Sequence, residues 1–147
     1  ALLGTALGSR WLGLGIPGIV ESFHVQSGPF DAIGKLVFTA LTVGSGFKGG
    51  EVTPLFFIGS NLGSALAPLL QIPVGTLAGV GFVAVFAGAT NTPIACTIMA
   101  IELFGAPIAP LAAIACMASW LSSGSRGIYS GQTHAFRKGF VASEEFL

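Results

Sequence analysis

Between Val52 and Ile101 no residue is charged, and beyond Glu102 the next charge is Arg126. Apolar residues run almost unbroken through those stretches, and glycine and proline divide them where charge does not. Residues 1–23 form an apolar, glycine-rich segment holding Arg10 and Glu21; Pro17 and Gly18 in GLGIPG predict one broken helix or two short ones there. HVQSGPFD, from His24 to Asp31, is the most polar connection of the first half, and Asp31 is placed to cap the next helix. AIGKLVFTALTVGSGF predicts that helix, about 16 residues long, with Lys35 close enough to its start to reach the interface by snorkelling. After GFKGGEVTP, the run TPLFFIGSNLGSALAPLL predicts a helix with Thr53 as N-cap and Pro54 at the first helical position. Gly59, Gly63, Ser60, Ser64 and Ala67 recur there at helical spacing, which lets a second helix come close. QIP breaks the chain at Pro73, VGTLAGVGFVAVFAGA predicts the next helix, and TNTP ends it. Thr92 and Pro93 repeat the cap-and-proline device ahead of IACTIMAIELFG, and APIAPLAAIACMASWLSS predicts a further helix with Pro107 and Pro110 in or near its first turn. A glycine-serine linker, SSGSRG, leads to a segment opening at Ile128–Tyr129 and a polar tail ending SEEFL.

Composition turns this pattern into a membrane protein. Hydrophobic residues make up 52% of the 147 positions and charged ones 8%, with 22 glycines and a mean hydropathy of +0.84. A soluble domain carries about 25% charged residues, and a hydrocarbon core about 30 Å thick takes about 20 apolar helical residues to cross. The expected class is therefore an all-α, multi-pass membrane protein with no separate soluble domain. The formal net charge of zero points to no nucleic-acid or acidic macromolecular partner. The chain opens abruptly on ALLGTALGSR, with neither an initiating methionine nor a basic leader, which is the expectation for a piece of a longer chain. Cys96 and Cys116 lie in apolar surroundings without CxxC or Cys/His spacing, so the expectation is buried small apolar side chains, with no metal site and no cofactor.

Several predicted helices are too short to span a bilayer. Short, Gly/Pro-interrupted helices in a membrane protein are the pattern of transporters and channels, in which broken helices bring their ends to a buried ion site. GFKGGEVTP, Gly46 to Pro54, is the break where chemistry concentrates. A helix N-terminus presents unpaired N–H groups and the positive end of the helix dipole, which favour an anion without the grip of a full charge. Gly49 and Gly50 leave the approach free of Cβ atoms, and Thr53 adds a hydroxyl. Glu51 conflicts with a plain anion site. The conflict resolves if Glu51 titrates: desolvation and a nearby anion favour the acid, while the helix dipole and Lys48 favour the carboxylate. A carboxyl that takes up a proton when an anion arrives couples the two ions. Spacing alone leaves a second reading open, in which Glu51 caps the helix or pairs with Lys48 at the membrane surface.

GGEVTPLFFIGSNLGSALA resembles the second-half anion signature of the CLC family of chloride channels and proton antiporters, written GxFxP. Here the pattern reads Gly50-Glu51-Val52-Thr53-Pro54, with Val52 in place of the phenylalanine and an acid at the variable position. Both departures are similar to the fluoride–proton antiporter branch of that family. The resemblance runs over about residues 25–140, through ATNTPIACTIMAIELFG to a last segment that opens with Tyr129, the one tyrosine in the chain. It implies the second half of a CLC-type inverted repeat, with short, broken and re-entrant transmembrane helices, and a chain that is roughly the last third of one subunit. It also implies a secondary transporter exporting fluoride in exchange for protons, with a chloride channel or chloride–proton exchanger as the alternative. The residues it assigns are Gly50, Val52, Thr53 and Tyr129 for anion binding and Glu51 for proton coupling. Fluoride needs hydrogen donors in place of water, and a phenol, a hydroxyl and backbone N–H groups supply them. The resemblance further implies a homodimer through helices near 93–104 and 107–122, and residence in a bacterial inner membrane.

The remaining polar residues point elsewhere. GLGIP, Gly13–Pro17, looks like the first-half CLC signature but has Leu14 where that signature has a serine, and it reads as a structural helix break. Glu102 reads as a helix-end residue in interfacial or interhelical pairing, and His24 and His134 as loop residues. Arg126, Arg137 and Lys138 fit a cytoplasmic, positive-inside end. An intramembrane enzyme is disfavoured because the apolar segments contain no Ser/His, Asp/Asp or HExxH arrangement, and Glu51 and Glu102 are about 50 residues apart. A purely structural subunit predicts no polar lining at the helix breaks, whereas Glu51, Thr53, Asn61, Asn91 and Thr92 are expected at or near them.

Overall fold

The computed structural model describes residues 14–46, 50, 52–124 and 127–129. Among these residues it is all helical: α1 (Ile16–His24), α2 (Pro29–Gly44), α3 (Val52–Leu70), α4 (Val74–Thr90) and α5 (Pro93–Phe104), then a 3₁₀ turn (Ala106–Ile108) that runs into α6 (Ala109–Ser122). Arg10, Lys48, Glu51, Arg126, His134, Arg137, Lys138 and the SEEFL tail lie outside the described residues. By length and composition α3, at 19 residues, is long and apolar enough to cross a membrane; α4, α5 and α6 are shorter apolar helices.

The breaks fall where glycine, proline and left-handed residues demand them. α1 begins behind Gly15, whose φ of 72° suits glycine, and Pro17 occupies its first turn. Gly28, and not Asp31, is the N-cap of α2; Asp31 takes part from inside the helix, at N3, its Oδ2 accepting from the Gly28 N–H at 3.2 Å. Gln71 at φ 56° turns the chain between α3 and α4, and Asn91 at φ 58° turns it between α4 and α5. Two further capping expectations are corrected. α3 starts at Val52, so Thr53 lies inside the first turn and not at the cap. Thr92 does precede Pro93 at the start of α5, but its side chain makes no cap bond; its hydroxyl is engaged with Thr90 and Cys96.

α4 is the central helix, packed on α1, α3, α5 and α6. Its buried residues, among them Leu77, Val80, Val83, Ala87 and Gly88, lie on more than one face, as an all-apolar helix inside a bundle requires. α3 and α4 are antiparallel and meet backbone to backbone. A Cβ on Gly59 would collide with the Gly81 carbonyl, one on Gly63 with the Leu77 carbonyl, and one on Gly81 with the Gly59 carbonyl. The glycine and serine spacing in α3 therefore reads correctly as a close helix crossing. Leu77, Val80, Val83, Ala87, Cys96, Ala100, Ile108, Ala112 and Cys116 continue the core between α4, α5 and α6, where both cysteines are buried free thiols.

Polar side chains are buried on the other face of α3. Ser64 Oγ accepts from the Ser27 N–H at 2.9 Å and donates to the Val25 carbonyl at 3.1 Å, clamping the α1–α2 connection onto α3. Lys35 overturns the snorkelling expectation. It is 2% exposed, and its Nζ lies 5.4 Å from the centroid of the Phe57 ring. Position 35 faces α3 and not the membrane surface, and Gly15 and Gly18 supply the space: a Cβ on either would meet the Phe57 ring, and one on Gly15 would also lie 3.3 Å from Lys35 Nζ. Asn61 is likewise not at a helix break. It is fully buried within α3, its Nδ2 donating to the Phe57 carbonyl at 2.9 Å. The outward faces are apolar, with Phe30, Ile33, Leu36 and Leu41 exposed along α2, and Ile94, Ile98, Ile114 and Leu121 along α5 and α6.

Gly63→Val in the full-length protein forces α3 and α4 apart and is expected to cost at least about 1–3 kcal/mol, the ordinary penalty of overpacking. Gly44→Ala, where an added Cβ meets nothing within 4 Å, is expected to be neutral or slightly stabilising. Thermal unfolding of the two purified variants in detergent checks the contrast.

Candidate anion site

The site is built around the start of α3. Val52 and Thr53 are half-buried in its first turn, where the leading N–H groups have no helical partner and the positive end of the dipole emerges. Gly50, just ahead, is exposed, and a Cβ placed on it would meet nothing within 4 Å. Among the described residues, packing therefore does not dictate the glycine. Glu51 and Lys48 fall outside the described residues, so the proton-coupling expectation has no geometry here.

The register of α3 on α4 decides what stands beside this helix start. Gly59 sits against Gly81 and Gly63 against Leu77, so one helix ascends as the other descends. Extending the same register sets Thr53 level with Ala87 and Val52 level with Gly88. Aromatic contacts hold it there. Phe56 stacks on Phe82 with ring centroids 4.0 Å apart and meets Phe86 at 4.8 Å. Phe82 in turn contacts Phe104 at 5.9 Å and Phe23 at 6.5 Å, so the aromatic run ties the first turn of α3 to α4, α5 and α1.

Tyr129 joins the same end of the bundle. The Ile128 N–H donates to the Ala89 carbonyl at 2.9 Å, attaching the last segment to the C-terminal turn of α4. Tyr129 is 52% exposed. The structure thus brings Gly50, Val52, Thr53 and Tyr129 to one end of the α3–α4 pair, and the start of α5 lies there too. Glu102, exposed on α5 close to its C-terminus, and His24, exposed at the end of α1, stand apart from this cluster, as expected. Of GLGIP, Gly13 lies outside the described residues; Gly15, and Gly18 just after the motif, lie against the Phe57 ring.

One part of the site escaped the sequence reading. Thr90, 2% exposed, donates its hydroxyl proton to the Phe86 carbonyl at 2.8 Å and lies 2.7 Å from the Thr92 hydroxyl, which lies 3.7 Å from Cys96 Sγ. The TNTP spacing identifies the turn, but the pairing of its two hydroxyls depends on the left-handed Asn91 between them. Among the described residues no group of three His, Cys, Asp or Glu side chains is arranged to hold a metal. A cavity of about 340 Å³ lined by Phe23, Gly75, Thr76, Phe104, Pro107 and Ile108 opens near the start of α4, at the opposite end from the cluster.

A family model described as "Voltage gated chloride channel" matches residues 2–123. A "Chloride/fluoride channel protein" of Pseudomonas syringae pv. tomato is 65% identical over 123 residues, which are 84% of this chain and 27% of that protein. A solved structure described as "Crystal structure of a CLC-type fluoride/proton antiporter" superposes with a TM-score of 0.79 at 43% identity, covering 83% of this chain and 31% of that one. The chain thus spans about a third or less of the length of the relatives it matches.

Phe56→Ala removes the half-buried, stacked ring next to the first turn of α3 and is expected to cost less than the about 3–5 kcal/mol of a fully buried phenylalanine. Unfolding of the full-length protein measures the loss, and Phe56→Leu, which keeps much of the volume, is expected to lose less.

Proposed function

The chain belongs to the voltage gated chloride channel family, and on that premise we propose that it is the anion-binding C-terminal part of a secondary transporter that exports fluoride in exchange for protons. The observation that carries this reading is the meeting of two donor sets at one end of α3 and α4: the helix start with Thr53, and the Ala89-tethered segment with Tyr129. On this reading the first N–H groups of α3, from Gly50 and Val52 onward, with the Thr53 and Tyr129 hydroxyls, replace the water of a strongly hydrated anion. They do so with partial charges, so the ion is held but can leave. Glu51, at the mouth of the same helix, carries the proton: neutral when fluoride is present, ionised when it is absent.

Two features of the sequence favour fluoride and exchange over the chloride reading. Val52 stands where the chloride signature has phenylalanine, and the acid stands beside it. An acid serves no purpose in a passive pore for anions, and an ionisable residue inside a membrane costs about 2.5–3.5 kcal/mol on insertion scales. A passive channel is the second reading, favoured by the word "channel" in the description of the Pseudomonas relative. The full subunit is a transporter and no enzyme, resident in the bacterial cell membrane. It pairs into a homodimer through α5 and α6, whose outward Ile94, Ile98, Ile114 and Leu121 side chains support a covered apolar face.

Liposomes holding the full-length protein test the reading. Glu51→Gln is expected to abolish fluoride-driven proton movement, and intact coupling in that variant would sink the exchange mechanism. Fluoride efflux is expected to exceed chloride efflux from the same vesicles by at least about tenfold; equal rates rule out the fluoride assignment. Tyr129→Phe is expected to weaken fluoride binding by about 10-fold or more, since a hydrogen bond to a charged partner contributes about 1.5–3 kcal/mol.

A further inference from the structure

We propose that the turn between α4 and α5 is the positioning element for Tyr129, acting through the Ala89 carbonyl, with Thr90 and Thr92 as positioning residues. The inference rests on the reading of Tyr129 as an anion donor and adds what holds it in place. α4 ends when Asn91 turns left-handed, and the Asn91 and Thr92 N–H groups both point back to the Ala87 carbonyl. The Ala89 carbonyl lies beyond that closure. Its helical partner would be residue 93, and residue 93 is proline, which has no N–H. Ile128 supplies the missing donor at 2.9 Å. A helix end that would otherwise need capping therefore captures the residue next to Tyr129.

The direction of that carbonyl is set by its surroundings. A Cβ on Gly88 would collide with the Ser119 hydroxyl and lie 3.3 Å from the Ser119 carbonyl, so the last turn of α4 is wedged on α6. On the other side the hydroxyls form a chain whose polarity is dictated by the donors available. Thr90 has one proton and gives it to the Phe86 carbonyl, so in the 2.7 Å contact Thr92 is the donor. Thr92 has then spent its own proton, so the Cys96 thiol donates to it across 3.7 Å. The chain runs one way, from α5 into α4, and locks the turn that presents Ala89. Tyrosine adds two side-chain torsions beyond the backbone, so fixing the peptide at Ile128 restricts where the phenol can go. An anion donor misplaced by about 1 Å loses much of its effect.

The test uses the full-length protein with Ile128 replaced by its α-hydroxy analogue, which converts the amide to an ester and deletes only the N–H. Two readouts are taken: fluoride affinity by titration calorimetry, with and without Tyr129→Phe, and the fluorine resonance of 3-fluorotyrosine placed at position 129. The ester is expected to weaken fluoride binding about three- to tenfold, the effect of one lost hydrogen bond, and to broaden or split the resonance. In the Tyr129→Phe background the ester is expected to add nothing. Thr90→Val is expected to act in the same direction and Thr90→Ser to restore the parent values; this pair carries the comparison if the ester fails to assemble. Parent-like affinity and a parent-like resonance in the ester overturn the proposal, as does an equal loss in the Tyr129→Phe background, which would make the tether a general brace. If Tyr129→Phe alone leaves fluoride affinity unchanged, the anion role of Tyr129 fails. The resonance then still decides the tether, an unchanged line overturning it.

Discussion

The crossing of α3 on α4 sets everything at the anion end. Gly59, Gly63 and Gly81 allow the two backbones to touch, and any side chain at those positions would strike a carbonyl of the facing helix. Lipid offers no hydrophobic drive for two apolar helices to associate, so contact of this intimacy supplies dispersion that larger side chains would forfeit. The crossing also has only one register. Sliding α3 by a turn would bring Leu55 or Ala67 into a glycine position against the α4 backbone, and the stacked Phe56–Phe82 pair would be lost. Because the register is fixed, the start of α3 and the end of α4 share a level, and the Ile128–Ala89 bond can bring Tyr129 to that level.

Two opposite helix ends consequently lie side by side. The N-terminus of α3 exposes donors, while the C-terminus of α4 exposes carbonyls that repel an anion. The carbonyl of Ala87 is covered by Asn91 and Thr92, and that of Ala89 by Ile128, so two of the acceptors at that end are occupied. Capping α4 and attaching the last segment are therefore one act. The left-handed Asn91 makes this possible, since it turns the chain sharply enough for Thr90 and Thr92 to meet.

How much of this was legible in the sequence depends on the range of the interaction. Helix breaks are local, and Pro73 and Pro93 marked them correctly because φ restriction and a missing N–H act within a few residues; Pro17 and Gly18 instead lie inside the start of α1. The glycine spacing of α3 announced a close crossing, though not that Gly81 would be its partner. The capping roles given to Thr53 and Thr92 failed for a physical reason. The helix already begins at Val52, which puts Thr53 inside it, and Thr92 stands at the cap position but its hydroxyl is taken by Thr90, two residues back across a turn. Lys35 failed on a longer range. Its distance from the helix start suggested snorkelling, whereas its burial depends on Gly15, Gly18 and Phe57, which come from two other segments of the chain. The Gly50–Pro54 pattern was legible in the sequence, whereas its lying at the same end of the bundle as Tyr129 became visible only through the α4 register and the Ile128–Ala89 bond.

The buried polar groups share a logic that bears on the ion path. Ser64 both accepts and donates, Thr90 donates to the Phe86 carbonyl, and Lys35 lies over an aromatic face. Each of these three is tied to a neighbour, since an unsatisfied polar group in an apolar interior costs several kcal/mol on transfer scales (about 2–7); Asn61 Oδ1, buried in α3, is the exception, with no hydrogen-bond partner among the described residues. Against that background, the half-buried helix start at Val52 and the half-exposed phenol at Tyr129 differ in kind. On the proposed reading their donors serve a ligand and not a neighbour within the fold. A dehydrated anion is the ligand that N–H and O–H groups without a compensating cation can satisfy and still release.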